Sequence, residues 1–183
     1  MHADSGATRD PVMLFMRMAS PWVFIDEIRR FVKSFCACAC ASLDREEHLA
    51  LAVHELMQNA VACSGSHPVE LSLEVDSAAD RVSVRVTNAC TPEQAAALQQ
   101  RIERMRQEPD ALRHYLAAMT RTPASERGGL GLARVRFESQ LGLEVVFESG
   151  RVTVQAAGKL ILPDADGAIA NDPNANESRI SHV

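Results

Sequence analysis

Two stretches in which every second residue is apolar constrain the fold of this chain most strongly. They are Val69–Val75 and Val82–Val86, and a polar turn, Asp76–Asp80, separates them. Alternation with a period of two predicts an antiparallel pair of strands with one face in water and the other on a core. The core face requires helices with apolar stripes to cover it.

The rest of the chain supplies such helices. One apolar stripe at helical spacing consists of Leu49, Ala52, Val53, Leu56 and Ala60. A capping-box pattern, Asp44 with Glu47, precedes it. The other predicted elements are a strand over Val12–Met18, helices that begin at Ser20-Pro21 and Thr91-Pro92, helices over Asp110–Met119 and Leu130–Gln140, and strands over Leu143–Phe147 and Val152–Val154. The sequence therefore predicts a two-layer α/β sandwich, in which helices cover one face of a mixed, mostly antiparallel sheet.

Length and composition indicate one soluble domain. With 183 residues, we predict a flexible leader over residues 1–11, a folded domain over 12–162 and a disordered tail over 163–183. The formal charge of −5 argues against direct nucleic-acid binding. No apolar run reaches the ~18 residues of a membrane span. The five cysteines form no disulfide framework, which favours a cytoplasmic location.

A carboxylate and a carboxamide stand one helical turn apart in the segment that carries the stripe. Glu55 and Asn59 therefore project from one face of the predicted helix. An amide oxygen is a suitable ligand for Mg²⁺. A neighbouring carboxylate can accept a proton from an attacking hydroxyl. The alternative is that both are solvent-facing helix residues, since this spacing is common by chance.

A glycine-rich segment opens the predicted helix near the end of the domain. It reads Gly128-Gly129-Leu130-Gly131-Leu132. Glycine costs about 1 kcal/mol relative to alanine in a helix, so three glycines indicate that the backbone approaches something closely. Backbone N–H groups at a helix start bind phosphate, and Arg121, Arg127 and Arg134 flank the segment. The alternatives are a flexible turn and solvated arginines.

In their order and spacing these segments resemble the GHKL superfamily of ATPases, and within it the small anti-sigma-factor-type and SiaB-like serine/threonine kinases. Leu49–Val61 resembles the helix with the N-box, Arg81–Thr87 the adenine-binding strand, and Gly129–Leu132 the second glycine box. The likeness covers about residues 12–157. It implies a Bergerat-type fold that binds ATP and Mg²⁺.

The resemblance also assigns roles to single residues. Glu55 would activate the attacking oxygen, and Asn59 would ligate Mg²⁺. The second glycine box would wrap the phosphates, with Arg127 and the segment from Gly128 to Leu132 as binding residues. One motif departs from the family, because Asn88-Ala89-Cys90-Thr91-Pro92 stands where an Asp-x-Gly-x-Gly segment reads adenine. Asn88 retains an oxygen that can accept a hydrogen bond from the adenine amino group.

The implied function is that of an ATP-binding regulatory kinase of anti-sigma type in a partner-switching module. It would transfer the γ-phosphoryl group to Ser or Thr of a small STAS-like antagonist protein, with a sigma factor as a second partner. Related kinases are often dimers, which leaves a homodimer open. The alternative is a catalytically silent GHKL-fold module that acts by protein contact alone, which the missing glycines favour. The catalytic half of a sensor histidine kinase is disfavoured, because the chain has no room for a dimerisation helix pair.

Overall fold

A computed structural model describes residues 10–19, 21–39, 45–121 and 128–161. Within these ranges the chain forms five strands, five α-helices and one 3₁₀ turn. In chain order the elements are β1 (Val12–Met18), the 3₁₀ turn (Pro21–Phe24), α1 (Ile25–Ala39), α2 (Arg45–Ser64), β2 (Val69–Asp76), β3 (Arg81–Ala89), α3 (Pro92–Gln107), α4 (Ala111–Arg121), α5 (Gly128–Glu138), β4 (Gly142–Glu148) and β5 (Arg151–Lys159).

The strands form a single sheet in the order β1-β2-β3-β5-β4. The two alternating stretches pair as predicted, with Leu71 opposite Val86 and Leu73 opposite Val84. The predicted α/β sandwich is confirmed, but all four pairings among the described strands are antiparallel, so the sheet is not mixed. The face away from the helices is polar along β2 and β3, whereas Met13, Phe15 and Val146 expose apolar side chains on the same face of the outer strands. On that face Thr87 and Thr153 hydrogen-bond across neighbouring strands at 2.8 Å.

Helix α2 is the central element of the helical layer. Its predicted stripe is buried, and so are Ala50, Leu51 and Met57 on other sides of the helix. This wide burial follows from its neighbours, because α2 contacts the sheet, α1 and α5. None of the described helices is long and apolar enough to cross a membrane.

A buried arginine fixes α5 against the start of α2. Arg45 is 1% exposed, and its guanidinium donates to the carbonyl oxygens of Ser139 at 2.5 Å and Lys159 at 2.9 Å. The Ser139 hydroxyl in turn donates to the carbonyl of His48 at 2.8 Å. These bonds join the end of α5 to the first turn of α2, so α5 lies along α2.

The structure tests the predicted starts of α3 and α5. At α3, Thr91 and Gln94 form a reciprocal capping box, with Pro92 at the first helical position, as Thr91-Pro92 predicts. Helix α5 begins at Gly128 and not at Leu130, so the glycines form its first turn. Ser20, Asp44, the leader up to residue 9 and the tail from residue 163 lie outside the described residues.

Candidate functional site

The carboxylate of Glu55 lies in the contact between α2 and α5. The residue is 8% exposed. Its Oε1 accepts a hydrogen bond from Arg134 Nη1 at 2.8 Å. The same guanidinium contacts Glu138 through Nε at 3.0 Å, and this bond is the main reason why the pKa of Arg134 is raised. Glu55 is therefore held by α5 and does not face solvent.

The glycine segment contributes to this contact, because the close backbone approach that the glycines predict is found at Gly131 and is made to a carboxylate of α2. A Cβ added at Gly131 would lie 2.5 Å from Glu55 Oε2. Gly131 thus allows α5 to approach the Glu55 carboxylate, whereas a Cβ at Gly129 would meet nothing within 4 Å. Leu132 is fully buried in the core.

The backbone at the start of α5 still offers donors. The first N–H groups of a helix have no carbonyl partner within the helix, and in α5 these include the N–H groups of Gly128, Gly129 and Leu130. These groups could bind an anion at this end of the helix. Arg127, the predicted neighbour of these donors, lies outside the described residues, and Arg121 ends α4.

Asn59 and Asn88 border one cavity of about 760 Å³ that α2, β3, α3 and β5 enclose. Asn59 Nδ2 donates to the carbonyl of Glu55 at 2.9 Å, and Asn88 Nδ2 donates to the carbonyl of Ala89 at 2.8 Å. In the described part of the chain, neither amide oxygen has a hydrogen-bond partner. Both oxygens are therefore available as acceptors or metal ligands.

The interior of this cavity is mainly apolar. Leu56, Val86, Leu98 and Val154 line it, and its volume falls within the range of ordinary small-molecule sites. Two arginines, Arg101 and Arg104, also border it, and sequence reasoning missed both of them. Their spacing of three residues places them on one face of α3, but no local pattern shows that this face borders the cavity.

The predicted site residues thus fall into two adjacent groups. Asn59 and Asn88 share the cavity, whereas Glu55 lies one turn away in contact with Gly131. None of the described residues of the glycine segment borders the cavity. Helix α2 joins the two groups, because Glu55 and Asn59 stand on the same side of it.

The segment that departs from the glycine-containing motif continues β3. Asn88 pairs with Val152 and Ala89 with Arg151 of β5, and Cys90 N donates to the carbonyl of Gly150 at 3.1 Å. This regular pairing needs no glycine. It directs the Asn88 side chain to the core face, where the residue is 3% exposed.

Comparison with known proteins identifies the family. The profile of the histidine kinase-like ATPase domain matches residues 24–136, more than half of the chain. A chain in the crystal structure of the SiaB–SiaC complex from Pseudomonas aeruginosa is similar in fold, with a TM-score of 0.62 and 15% sequence identity over 79% of this chain and 88% of that one. No curated protein sequence matches. The match over α1 to α5, together with the five-stranded sheet, shows that the chain belongs to the histidine kinase-like ATPase family.

Proposed function

We propose that this protein binds Mg-ATP in the cavity beside α2 and transfers the γ-phosphoryl group to Ser or Thr of a small partner protein. Members of the family bind ATP, which gives the ligand class. The observation that carries the proposal is that Asn59 and Asn88 present unpartnered amide oxygens to one mainly apolar cavity. That combination suits an adenine base and a metal-bound phosphate group.

The polar ends of the cavity suggest how the nucleotide is oriented. The Asn88 oxygen accepts a hydrogen bond from the adenine amino group, and the apolar walls contact the base. The Asn59 oxygen is a hard ligand for Mg²⁺, which takes its remaining ligands from phosphate and water. Such binding needs no cluster of carboxylates, and the described residues contain no group of three or more His, Cys, Asp or Glu that could hold a metal. When bound, Mg²⁺ neutralises phosphate charge during transfer.

We assign to Glu55 the role of general base in the transfer step. A general base must lie within hydrogen-bond reach of the proton that it accepts. Glu55 is one helical turn from Asn59, but its Oε1 contacts Arg134. The role therefore requires Glu55 to exchange this bond for the hydroxyl of the partner protein. The N–H groups in the first turn of α5, among them that of Gly129, are proposed phosphate donors, whereas Gly131 serves the close approach to Glu55.

The proposed partner is a small STAS-like antagonist protein, with a sigma factor as the second binding partner of a partner-switching module. The support is by analogy, since the similar fold was solved in a complex of two proteins, SiaB and SiaC. Phosphorylation adds a charge of about −1.5 to −2 to the partner surface, which is sufficient to weaken or create an interface.

Two measurements test the proposal. Mg-ATP at 100 times its Kd should stabilise the protein by about 2.7 kcal/mol and raise its Tm. A partner captured from lysate should acquire phosphoserine or phosphothreonine when ATP is added. Asn59→Ala should abolish the phosphate, whereas Gln58→Ala, which changes an exposed amide on the same helix, should retain it. If millimolar Mg-ATP leaves the Tm unchanged, the kinase proposal is wrong.

A second candidate function is a silent module that works by protein contact alone. It is favoured by the engagement of Glu55 with Arg134 and by the replacement of both family glycines in Asn88-Ala89-Cys90-Thr91-Pro92. Under this alternative, the captured partner binds equally well with and without Mg-ATP and acquires no phosphate. Under the kinase proposal, ATP changes both the binding and the phosphorylation of the partner.

A further inference from the structure

Two arginines on α3 border the same cavity as Asn59 and Asn88. Arg101 and Arg104 are three residues apart, so both point from one side of the helix. Arg101 is half-buried and Arg104 is exposed at the rim. The side of α3 that carries these two arginines faces α2 across the cavity.

Neither arginine has an acidic partner in the described ranges. No Asp or Glu is among the described residues that line this cavity. Arg104 Nε makes only a long bond, 3.4 Å, to the carbonyl of Gln100 in the same helix. By contrast, Arg106 on the same helix lies 3.7 Å from Glu144, and Arg134 is engaged with Glu55. Within the described residues, neither guanidinium is therefore held in an ion pair with a carboxylate.

The charge of Arg101 reaches the opposite wall. Burial raises the pKa of the Cys63 thiol on α2, and the nearby charge of Arg101 acts in the opposite direction. Cys63 also lines the cavity. Arg101 and Cys63 thus line the same cavity from α3 and α2, so a group bound between these helices lies beside the guanidinium.

We propose that Arg101 and Arg104 form the polyphosphate-binding wall of the cavity and make it selective for nucleoside di- and triphosphates over the nucleoside. A guanidinium offers two parallel N–H donors to phosphate oxygens, and the charge-assisted bonds are stronger than neutral ones. The inference rests on the proposed function, which places the base against the apolar walls. It assigns part of the phosphate binding to α3, in addition to the N–H groups at the start of α5.

The test compares ATP with adenosine by isothermal titration calorimetry in magnesium buffer. The variants are Arg101→Gln, Arg104→Gln and the double variant. The matched control is Arg85→Gln, because Arg85 is exposed on the polar face of β3, where it contacts Gln155. Circular dichroism and Tm measurements check that each variant is folded.

We expect each single substitution to weaken ATP binding by about tenfold, which corresponds to one charge-assisted contact. The double variant should lose most of the preference for ATP over adenosine. Adenosine affinity should stay within about twofold in every variant, since the nucleoside has no phosphate, and Arg85→Gln should bind like the unmodified protein.

Three results would overturn the inference, and they differ in what else they affect. Unchanged ATP affinity in the double variant would show that α3 does not bind phosphate, while the nucleotide site would stand. An equal loss for adenosine and ATP would show that the arginines support the site without contacting phosphate. Failure of both ligands to bind the unmodified protein would overturn the proposed function as well.

Discussion

Replacing Gly131 by alanine tests the contact that brings α5 onto α2. In a helix, alanine is more favourable than glycine by up to about 1 kcal/mol. At Gly131 the added methyl group would lie 2.5 Å from Glu55 Oε2 and 3.4 Å from Glu55 Cδ. Because Arg134 holds this carboxylate at 2.8 Å, the side chain cannot move away without losing a charge-assisted bond.

The expected change is a net loss of stability. Overpacking costs about 1–3 kcal/mol. Loss of the bond to Arg134 adds to this cost, at the low end of the range for charge-assisted hydrogen bonds, because that guanidinium is partly exposed. We therefore expect Gly131→Ala to lower the free energy of unfolding by about 1 kcal/mol or more, even after the gain in helix propensity. Gly129→Ala is the matched control. Its methyl group would meet nothing within 4 Å, so this change should be neutral or stabilising by up to about 1 kcal/mol.

A double-mutant cycle identifies the cause of the loss. In a Glu55→Ala background the methyl group at position 131 has space, so Gly131→Ala should no longer destabilise the protein. Urea unfolding of the four proteins gives the coupling energy, for which we expect about 1–3 kcal/mol. If Gly131→Ala and Gly129→Ala stabilise the unmodified protein equally, Glu55 does not occupy the space beside Gly131. The packing described here would then be wrong.

Three further results are expected. Thr91→Ala should cost about 1 kcal/mol in urea unfolding, because it removes the capping oxygen of α3, and a loss below the detection limit would contradict the capping box. Cys63 is exposed, but partial desolvation of its thiol raises its pKa and lowers its thiolate fraction, so it should react more slowly with iodoacetamide at pH 8 than an unstructured cysteine peptide does. Mass spectrometry of the labelled peptide measures the rate, and an equal rate would refute the prediction. A hydrogen bond from Lys33 lowers the pKa of Glu47, so the pair stabilises the fold at neutral pH and this contribution disappears as the pH falls and Glu47 is protonated. Lys33→Met should therefore lose stability at pH 7 but little at pH 3, and an equal loss at both values would count against the pair.

Most of the fold could be predicted from local patterns. The alternating strands Val69–Asp76 and Arg81–Ala89 and the stripe on α2 each carry a clear period, and the Thr91 capping box gives a helix boundary. The glycine segment was harder to assign, because glycine disfavours a helix interior whereas the first turn tolerates it. The start of α5 at Gly128 therefore lies two residues before the predicted one.

The geometry of the candidate site could be predicted only in part. The spacing of Glu55 and Asn59 places them on one side of α2, but it does not show that the Glu55 carboxylate contacts α5. That contact depends on the way in which Arg45 ties α5 to α2, a tertiary feature without a local sequence signal. The position of Arg101 at the cavity likewise has no local sequence signal, because Cys63, which lines the cavity from α2, is distant in the sequence.

The contact between Glu55 and Arg134 does not by itself decide between a kinase and a silent module. Arg134 is about one-third exposed and retains Glu138 as a partner, so solvent and Glu138 can replace the bond to Glu55 at a cost of about 1–2 kcal/mol. A cost of this size leaves the displaced state of Glu55 populated in roughly 3–15% of the molecules, without any contribution from a ligand. The deciding step is therefore the binding of the base, because the family glycines are absent there and Asn88 lies in a regular strand pair. Because the displacement of Glu55 toward a partner hydroxyl is energetically accessible, binding of adenosine in the cavity would favour the kinase over the silent module.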